Sequence, residues 1–407
     1  MKTDWKKVKL EEIATFSNGV NFGKESYTSG VKLIGVSNFG NKYFPEYEEL
    51  DEINEKVLRE NDYLKDGDIV FVRSNGNKEL VGRCMLIQNP PSPVTYSGFC
   101  IRARLNDTAT NNPRFFAYYF KSKIFRKSMS NSAVGANIQN LNQGLLSNHE
   151  ISLPPLETQQ KIAHILSRYD EAIENNNKRI KLLEQMAQNL YKEWFVRFRF
   201  PGYENCEFEN GIPVGWEIKR AQEIFDITIG RTPDRKQFEY FTNNEQDILW
   251  VSISDMKDNI FISKSFEYLT NEAVKKVNMP MVEADTVLLS FKLSVGRVSI
   301  TTKLCCTNEA IAHCNTNDKD LLEYSYLYLK LFNYQNLGNT SAIGNAVNST
   351  IIKKMKVVMP NRKLLEMFHN STKGIFAIIK NLNYSNQNLA KQRDLLLPRL
   401  MSGKLEV

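Results

Sequence analysis

The chain has 407 residues and no run of 18 or more apolar ones, the length a helix needs to cross a bilayer. Its opening, Met1-Lys2-Thr3-Asp4-Trp5-Lys6-Lys7, lacks the apolar centre of a secretory signal. Cysteine is scarce: six in this length cannot build a disulfide framework. These absences predict a cytoplasmic protein with no membrane partner. With 20 Gly, 13 Pro and 42% hydrophobic residues, the composition excludes bulk disorder.

Catalytic signatures are missing too. No Gly-x-x-x-x-Gly-Lys-Ser/Thr segment is present, so no ATP motor is encoded. Asn89-Pro90-Pro91-Ser92 resembles the Asn-Pro-Pro-aromatic motif of adenine methyltransferases, but Ser92 offers no ring to stack on a flipped base. No Gly-rich turn precedes it to hold a nucleoside cofactor. Pro233-Asp234 is not followed by the Glu-x-Lys of a metal-dependent nuclease; the nearest such triplet, Glu217-Ile218-Lys219, lies upstream. Cys305-Cys306 and His313-Cys314 have the wrong spacing for tetrahedral zinc and read as buried strand residues. The four histidines, His149, His164, His313 and His369, have no nucleophile at a recognisable motif. His164 reads as a helix-surface residue. The chain is therefore expected to be non-catalytic, with no cofactor or metal of its own.

What is present is a duplication. Trp5, Glu12-Ile13 and Gly19 recur as Trp216, Glu223-Ile224 and Gly230, at an offset of 211. Ile34 to Phe39 resembles Val251 to Met256, and Asp68-Ile69-Val70 resembles Asp285-Thr286-Val287, both at 217. Gly82-Arg83 matches Gly296-Arg297 at 214. Ser132-Ala133-Val134-Gly135 matches Ser341-Ala342-Ile343-Gly344 at 209, and Ile151 to Pro154 matches Val357 to Pro360 at 206. Six matches in one order, with slowly drifting offsets, mean a tandem repeat with loops of different length.

Each copy ends in a different texture. Apolar residues recur at alternating steps of four and three, the pattern of a heptad seam. The first seam is Ile162, Leu166, Tyr169, Ile173, Asn176, Ile180, Leu183, Ala187, Leu190 and Trp194. The second, 206 residues on, is Phe368, Thr372, Ile375, Ile379, Leu382, Asn386, Leu389, Arg393, Leu396 and Leu400. Each segment predicts a helix of about 40 residues, roughly 60 Å long. The second seam keeps the frame but is more degenerate, at Thr372 and Arg393; one Asn per seam, Asn176 and Asn386, is a device that fixes register. Pro154-Pro155 and Pro360 suit rigid approaches to the two helix starts.

The fronts of the copies read as mixed α/β. Asp68 to Val72 and Asp285 to Leu289 look like strands; Arg114 to Phe120 and Tyr324 to Leu329 look like short helices buried on one face. The predicted fold class is α+β: two pseudo-repeated globular domains separated by two long antiparallel coiled-coil helices. The expected boundaries are 1–153 for the first domain, 154–200 for the central helix, 201–214 for a linker, 215–360 for the second domain and 361–402 for the last helix.

The net charge of +7 is unevenly spread. Residues 1–153 carry 20 Lys and Arg against 17 Asp and Glu; 154–211 carry 8 against 9; 212–360 carry 17 against 17; 361–407 carry 8 against 3. Most of the excess lies in the last helix, and the domains themselves are close to neutral.

Three segments carry a family resemblance. Leu153-Pro154-Pro155-Leu156-Glu157-Thr158-Gln159-Gln160-Lys161-Ile162, Trp194-Phe195-Val196-Arg197-Phe198-Arg199-Phe200-Pro201 and Leu395-Leu396-Leu397-Pro398-Arg399-Leu400-Met401-Ser402-Gly403 resemble the conserved regions of type I restriction-modification specificity subunits. Gly211-Ile212-Pro213-Val214-Gly215-Trp216 fits the same pattern. The resemblance spans the whole chain. It implies two target recognition domains, each reading one half of a bipartite sequence in double-stranded DNA. It also implies spacer helices that dock two methylation subunits, with restriction subunits joining the full complex. S-adenosylmethionine, ATP and Mg are then expected in those partners.

Candidate DNA contacts come from polar loops between the repeat anchors, because Arg can fork onto guanine and Asn onto adenine. In the first copy these are Asn18, Lys24, Arg73, Ser74, Asn75, Asn77, Lys78, Arg83, Asn137 and Gln139. In the second they are Arg231, Thr232, Lys292, Ser294, Arg297, Asn345 and Asn348. Gly82 and Gly296 read as backbone requirements rather than contacts. The alternative from another class is a coiled-coil adaptor that does not bind nucleic acid.

Overall fold

The computed structural model describes residues 5–40, 43–74, 81–132, 141–257, 259–334 and 348–407. Contacts divide the chain into two units. Unit 1 is Met1–Glu174 with Asn386–Val407, and unit 2 is Asn175–Ser385. The division runs through both long helices, beside the two polar seam positions, whereas the sequence places domain ends where the helices begin and end.

Unit 1 contains β1 (Lys6–Lys9), α1 (Leu10–Ile13), β2 (Ala14–Asn18), β3 (Tyr27–Ile34), β4 (Asp51–Ile53), β5 (Ile69–Val72), β6 (Cys84–Leu86), β7 (Val94–Tyr96) and β8 (Cys100–Leu105). There follow α2 (Pro113–Lys121), α3 (Lys123–Ser132), α4 (Gln143–Ser147), β9 (Glu150–Leu153) and the first half of α5 (Leu156–Tyr191). One sheet has the order β2-β8-β5-β6 and a second β4-β3-β7. β1 pairs with β9, so the two ends of the globular part meet.

Unit 2 contains the rest of α5, then β10 (Phe208–Glu209), β11 (Ile212–Pro213), β12 (Glu217–Arg220), α6 (Ala221–Ile224), β13 (Asp226–Ile229), β14 (Phe241–Thr242), β15 (Ile248–Val251), β16 (Phe261–Ile262) and β17 (Glu267–Leu269). Next come α7 (Asn271–Lys276), β18 (Val287–Ser290), β19 (Val298–Thr301), β20 (Cys305–Thr307), β21 (Ile311–Asn315), α8 (Leu322–Leu331), α9 (Ser349–Lys353), β22 (Lys356–Met359) and the first part of α10 (Arg362–Met401). Its sheets repeat the plan: β13-β21-β18-β19 with β16 added, and β17-β15-β20 with β14 added. β12 pairs with β22 as β1 does with β9. The region expected as a linker folds into the β10–β11 hairpin, with Trp216 buried just beyond it.

The repeated residues have repeated jobs. Glu12 accepts the Lys9 backbone N–H at 2.8 Å, and Glu223 accepts that of Arg220 at 2.6 Å; each caps a one-turn helix. Asn38 accepts the Gly35 N–H at 2.8 Å, and Asp255 accepts the Ser252 N–H at the same distance. One match needs correction. Ile69 lies opposite Ala103 of β8, and Val287 lies opposite Cys314 at the equivalent place in β21. Ile69 therefore corresponds to Val287, and Asp68 to Thr286. Asp285 takes the place of Gly67: both have left-handed φ, +59° and +86°. Asp tolerates that conformation better than most residues, so the sequence match slips by one.

The expected one-sided burial of the short helices also changes. All six residues from Phe115 to Phe120 in α2 are buried, because the helix is enclosed on every side. In α8 the buried residues are Glu323 to Leu327 and Leu329.

The long helices pack within each unit. In unit 1, Ile162, Ala163 and Leu166 share a core with Leu397, Leu400 and Met401. In unit 2, Tyr191, Trp194 and Phe195 surround Phe368, with ring centroids 4.8–6.2 Å apart. Of the seam positions, Ile162, Leu166, Ala187, Trp194, Phe368, Thr372, Ile379, Leu382 and Leu400 are buried. Tyr169, Ile173, Asn176, Ile180, Leu183, Leu190, Ile375, Asn386, Leu389, Arg393 and Leu396 are half-buried. Burial drifts onto Tyr191, Phe195, Phe376 and Leu397, as a 3.6-residue helix turns away from a strict seven-residue repeat.

Candidate nucleic-acid interface

In unit 1, β2 and β5 end at the edge of the sheet where β8 begins: Asn18 lies opposite Ile101 and Val72 opposite Cys100. The turn Ser97–Phe99 gathers the loops at this edge. The Val20 N–H donates to the Tyr96 carbonyl at 2.9 Å, and the Arg73 N–H to the Phe99 carbonyl at 2.8 Å. A Cβ on Gly19 would lie 2.3 Å from the carbonyl oxygens of Tyr96 and Ser97, so only glycine allows the approach. The Leu141 N–H donates to the Arg73 carbonyl at 2.9 Å, which brings the end of the third candidate loop to the same place.

Asn18 and Lys24 are exposed there; Arg73, Ser74 and Arg83 are half-buried. Asn75, Asn77, Lys78, Asn137 and Gln139 lie outside the described residues. Gly82 has φ +78°, so its conformation is the requirement. Phe99, which sequence reading passed over, is exposed on the gathering turn. Its signal was an aromatic residue directly after Gly98 in a turn between two strands.

Unit 2 builds the same edge from different side chains. The Gly230 N–H donates to Ile311 at 3.2 Å, the Arg231 N–H to Thr307 at 2.9 Å and the Phe291 N–H to Ala310 at 3.0 Å, all to carbonyls. A Cβ on Gly230 would lie 2.2 Å from the Asn308 carbonyl oxygen. The Thr232 hydroxyl donates to the exposed Glu309 carboxylate. That bond lowers the Glu309 pKa; burial opposes it, and Lys292 and Arg235 add to it. Two candidate loops therefore converge on a carboxylate the sequence did not single out.

Some candidates are engaged by the fold. Arg231 donates from its guanidinium to the carbonyls of Val277 and Asn278, at 2.7 and 3.3 Å. Arg297 donates to the Ile253 carbonyl at 2.8 Å. Asn348 caps α9, accepting the Ile351 N–H at 3.0 Å. Asn142, not picked out from sequence, caps α4 in the same way at 2.8 Å. Lys292 is exposed, Ser294 is half-buried, and Asn345 lies outside the described residues. Arg235 is forked onto Glu267 at 2.7 and 2.9 Å and lies over the rings of Phe241 and Trp250.

The interiors behind these edges also differ. In unit 2, His313 is hydrogen-bonded on both ring nitrogens, to Thr228 at 2.8 Å and Thr307 at 2.7 Å. Burial lowers its pKa to about 4. Burial likewise pushes the thiols of Cys305, Cys306 and Cys314 up to about 12. In unit 1 the matching place holds Arg102, which donates to the Asn61 carbonyl at 2.9 Å, while Tyr96 and Ser17 share a hydrogen bond of 2.7 Å. Among the described residues, no group of three or more His, Cys, Asp and Glu side chains is placed to hold a metal ion. No helix among them is long and apolar enough to cross a membrane.

Residues 2–185 and 213–395 both match the type I restriction modification DNA specificity domain. The chain belongs to the type I restriction-modification specificity-subunit family. The MjaIX specificity subunit of Methanocaldococcus jannaschii is 29% identical over 305 residues, covering 72% of this chain and 69% of its own. The HindI specificity subunit of Haemophilus influenzae is 22% identical, covering 99% and 100%. The crystal structure of the S subunit of a type I restriction-modification system from M. genitalium shares the fold, with a TM-score of 0.52. That chain is 15% identical and the likeness covers 98% of this chain and 95% of that one. The two matched segments of the specificity-subunit family coincide with the two copies of the repeat. Specificity subunits are non-catalytic.

Proposed function

We propose that this chain selects the DNA sequence for a type I restriction-modification complex. Each unit reads one half of a bipartite target in double-stranded DNA. The helices α5 and α10 hold the half-sites at a fixed spacing and dock two methylation subunits, and restriction subunits join the full complex. S-adenosylmethionine, ATP and Mg bind to those partners, and the complex works in the cytoplasm. The observation that carries this reading is one loop-bearing sheet edge built twice on the same topology with different side chains. Two unlike edges on a common scaffold suit two unlike half-sites. The candidate contacts are those named above, with Asn18, Lys24, Arg231, Lys292 and Asn348 exposed.

The test is methylation mapping in a host with and without this gene, alongside an active methylation partner. Adenine methylation at one bipartite sequence is expected only with the gene. An unchanged methylome would reject the reading. DNA binding by the assembled complex is also expected to weaken steeply with salt; an adaptor that ignores nucleic acid would show no such dependence.

A further inference from the structure

The hairpin joining β18 to β19 ends in a tight turn whose construction is unusual. The Ser294 N–H donates to the Lys292 carbonyl at 2.7 Å, closing a three-residue turn around Leu293, whose φ is +61°. Turns of this hand are rare and strained, and a leucine is a poor occupant of that backbone region. Leu293 is nevertheless 98% exposed. Among the described residues nothing covers its apolar side chain, and the fold alone would be better served by Gly or Asn.

The turn is braced. The Ser290 hydroxyl donates to the Ser294 carbonyl and accepts the Arg297 N–H at 3.0 Å. Arg297 is anchored to Ile253, and Phe291 is buried in the core below. The ring of Tyr334 packs so close to Gly296 that a Cβ there would lie 2.8 Å from it. Tyr334 is itself tied down, donating its hydroxyl to the Leu329 carbonyl at 2.7 Å. An exposed cation, Lys292, stands next to the leucine. In unit 1 the segment in the same hairpin position reads Arg73-Ser74-Asn75-Gly76-Asn77-Lys78.

We infer that Leu293 is a specificity-determining apolar contact, which the β18–β19 hairpin presses against the bases of the half-site read by unit 2. The inference rests on the proposed function. A braced tip holds the side chain out of water only when DNA covers it, and Lys292 supplies the adjacent phosphate contact. Two base surfaces offer the needed chemistry: a thymine methyl in the major groove, or an opened base step that admits a wedge.

The experiment compares wild type, Leu293→Ala and Leu293→Gly in the complex assembled with its methylation partner. Affinity is measured on the duplex identified by methylation mapping. Both variants are expected to bind roughly tenfold more weakly, the effect of removing one well-placed contact. The thermal midpoint should stay level for Leu293→Ala and level or higher for Leu293→Gly, since glycine relieves the turn. Replacing thymine by uracil in the second half-site weakens wild type alone if the methyl is the partner. A 2-aminopurine signal that brightens with wild type alone marks a wedge. Unchanged affinity in both variants overturns the inference, as does a joint loss of thermal midpoint and affinity. Failure of wild type to bind any sequence specifically would reject the functional reading, and this inference with it.

Discussion

Asp170 and Arg393 form an ion pair across 223 positions of sequence, with side chains 12% and 15% exposed. Asp170 also accepts the Tyr118 hydroxyl, so α2 is tied to both long helices within unit 1. The Arg393 guanidinium lies 5.2 Å from the Tyr43 ring, and the Lys121 ammonium 3.7 Å from it. Unit 2 has a parallel contact, in which Tyr326 donates to Glu184 at 2.9 Å. Asp170→Leu is expected to cost about 2 kcal/mol, because it takes the acceptor from the Tyr118 hydroxyl and leaves the largely buried Arg393 paired with the exposed Asp394 alone among the described residues. Asp170→Leu with Arg393→Met should recover much of that loss. Chemical denaturation of Asp170→Leu, Arg393→Met and the double variant measures the coupling, and additive losses would show that the pair contributes nothing as a pair.

The two glycine classes should behave differently. Gly19→Ala and Gly230→Ala drive a methyl group into backbone carbonyls and should each cost roughly 3 kcal/mol or prevent folding. Among the described residues, Gly82→Ala meets no atom within 4 Å and faces only its positive φ, a cost of about 1 kcal/mol. Thermal midpoints of the three variants check the order.

Acid should loosen the protein before its carboxylates titrate. Burial lowers the pKa of His149 and His313 to about 4, against an ordinary histidine value near 6.5. Between those values the unfolded chain binds more protons, so stability falls as pH drops through 6.5 and levels off near 4. Each histidine accounts for about 1.4 kcal/mol per pH unit well inside that window. His149→Gln with His313→Gln should flatten the profile from pH 7 to 5, as read by calorimetry. An equally steep profile in the double variant would assign the effect elsewhere.

Asn348 separates two roles. Asn348→Ala removes the α9 cap and should cost about 1 kcal/mol, and Asn142→Ala should do the same at α4. Asn348→Asp keeps the cap while adding negative charge. A normal thermal midpoint with weaker DNA binding would mark Asn348 as a contact as well as a cap.

The duplication was legible because its anchors do structural work. Gly19 and Gly230 permit close backbone approaches, and Glu12 and Glu223 cap short helices. Such jobs leave the same residue type in both copies. The heptads were legible because apolar spacing is local. Arg393 looked like a flaw in its seam, since its partner Asp170 lies on a different helix and local spacing cannot reveal it. Glu309 escaped notice for a similar reason: Thr232 and Lys292 approach it from distant loops. The roles of Arg231 and Arg297 depend on which carbonyls their loops bring near, which residue type alone does not encode.

The make-up of unit 1 sets an order of assembly during synthesis. Its first 174 residues leave the ribosome early, yet Ile162 and Leu166 are covered by Leu397, Leu400 and Met401. Unit 2 is contiguous and can close while that apolar stripe is still bare. The first half made is thus the last half finished. A transcript or ribosome that stops short of residue 386 leaves an open helix face, which marks the product for chaperones and proteases.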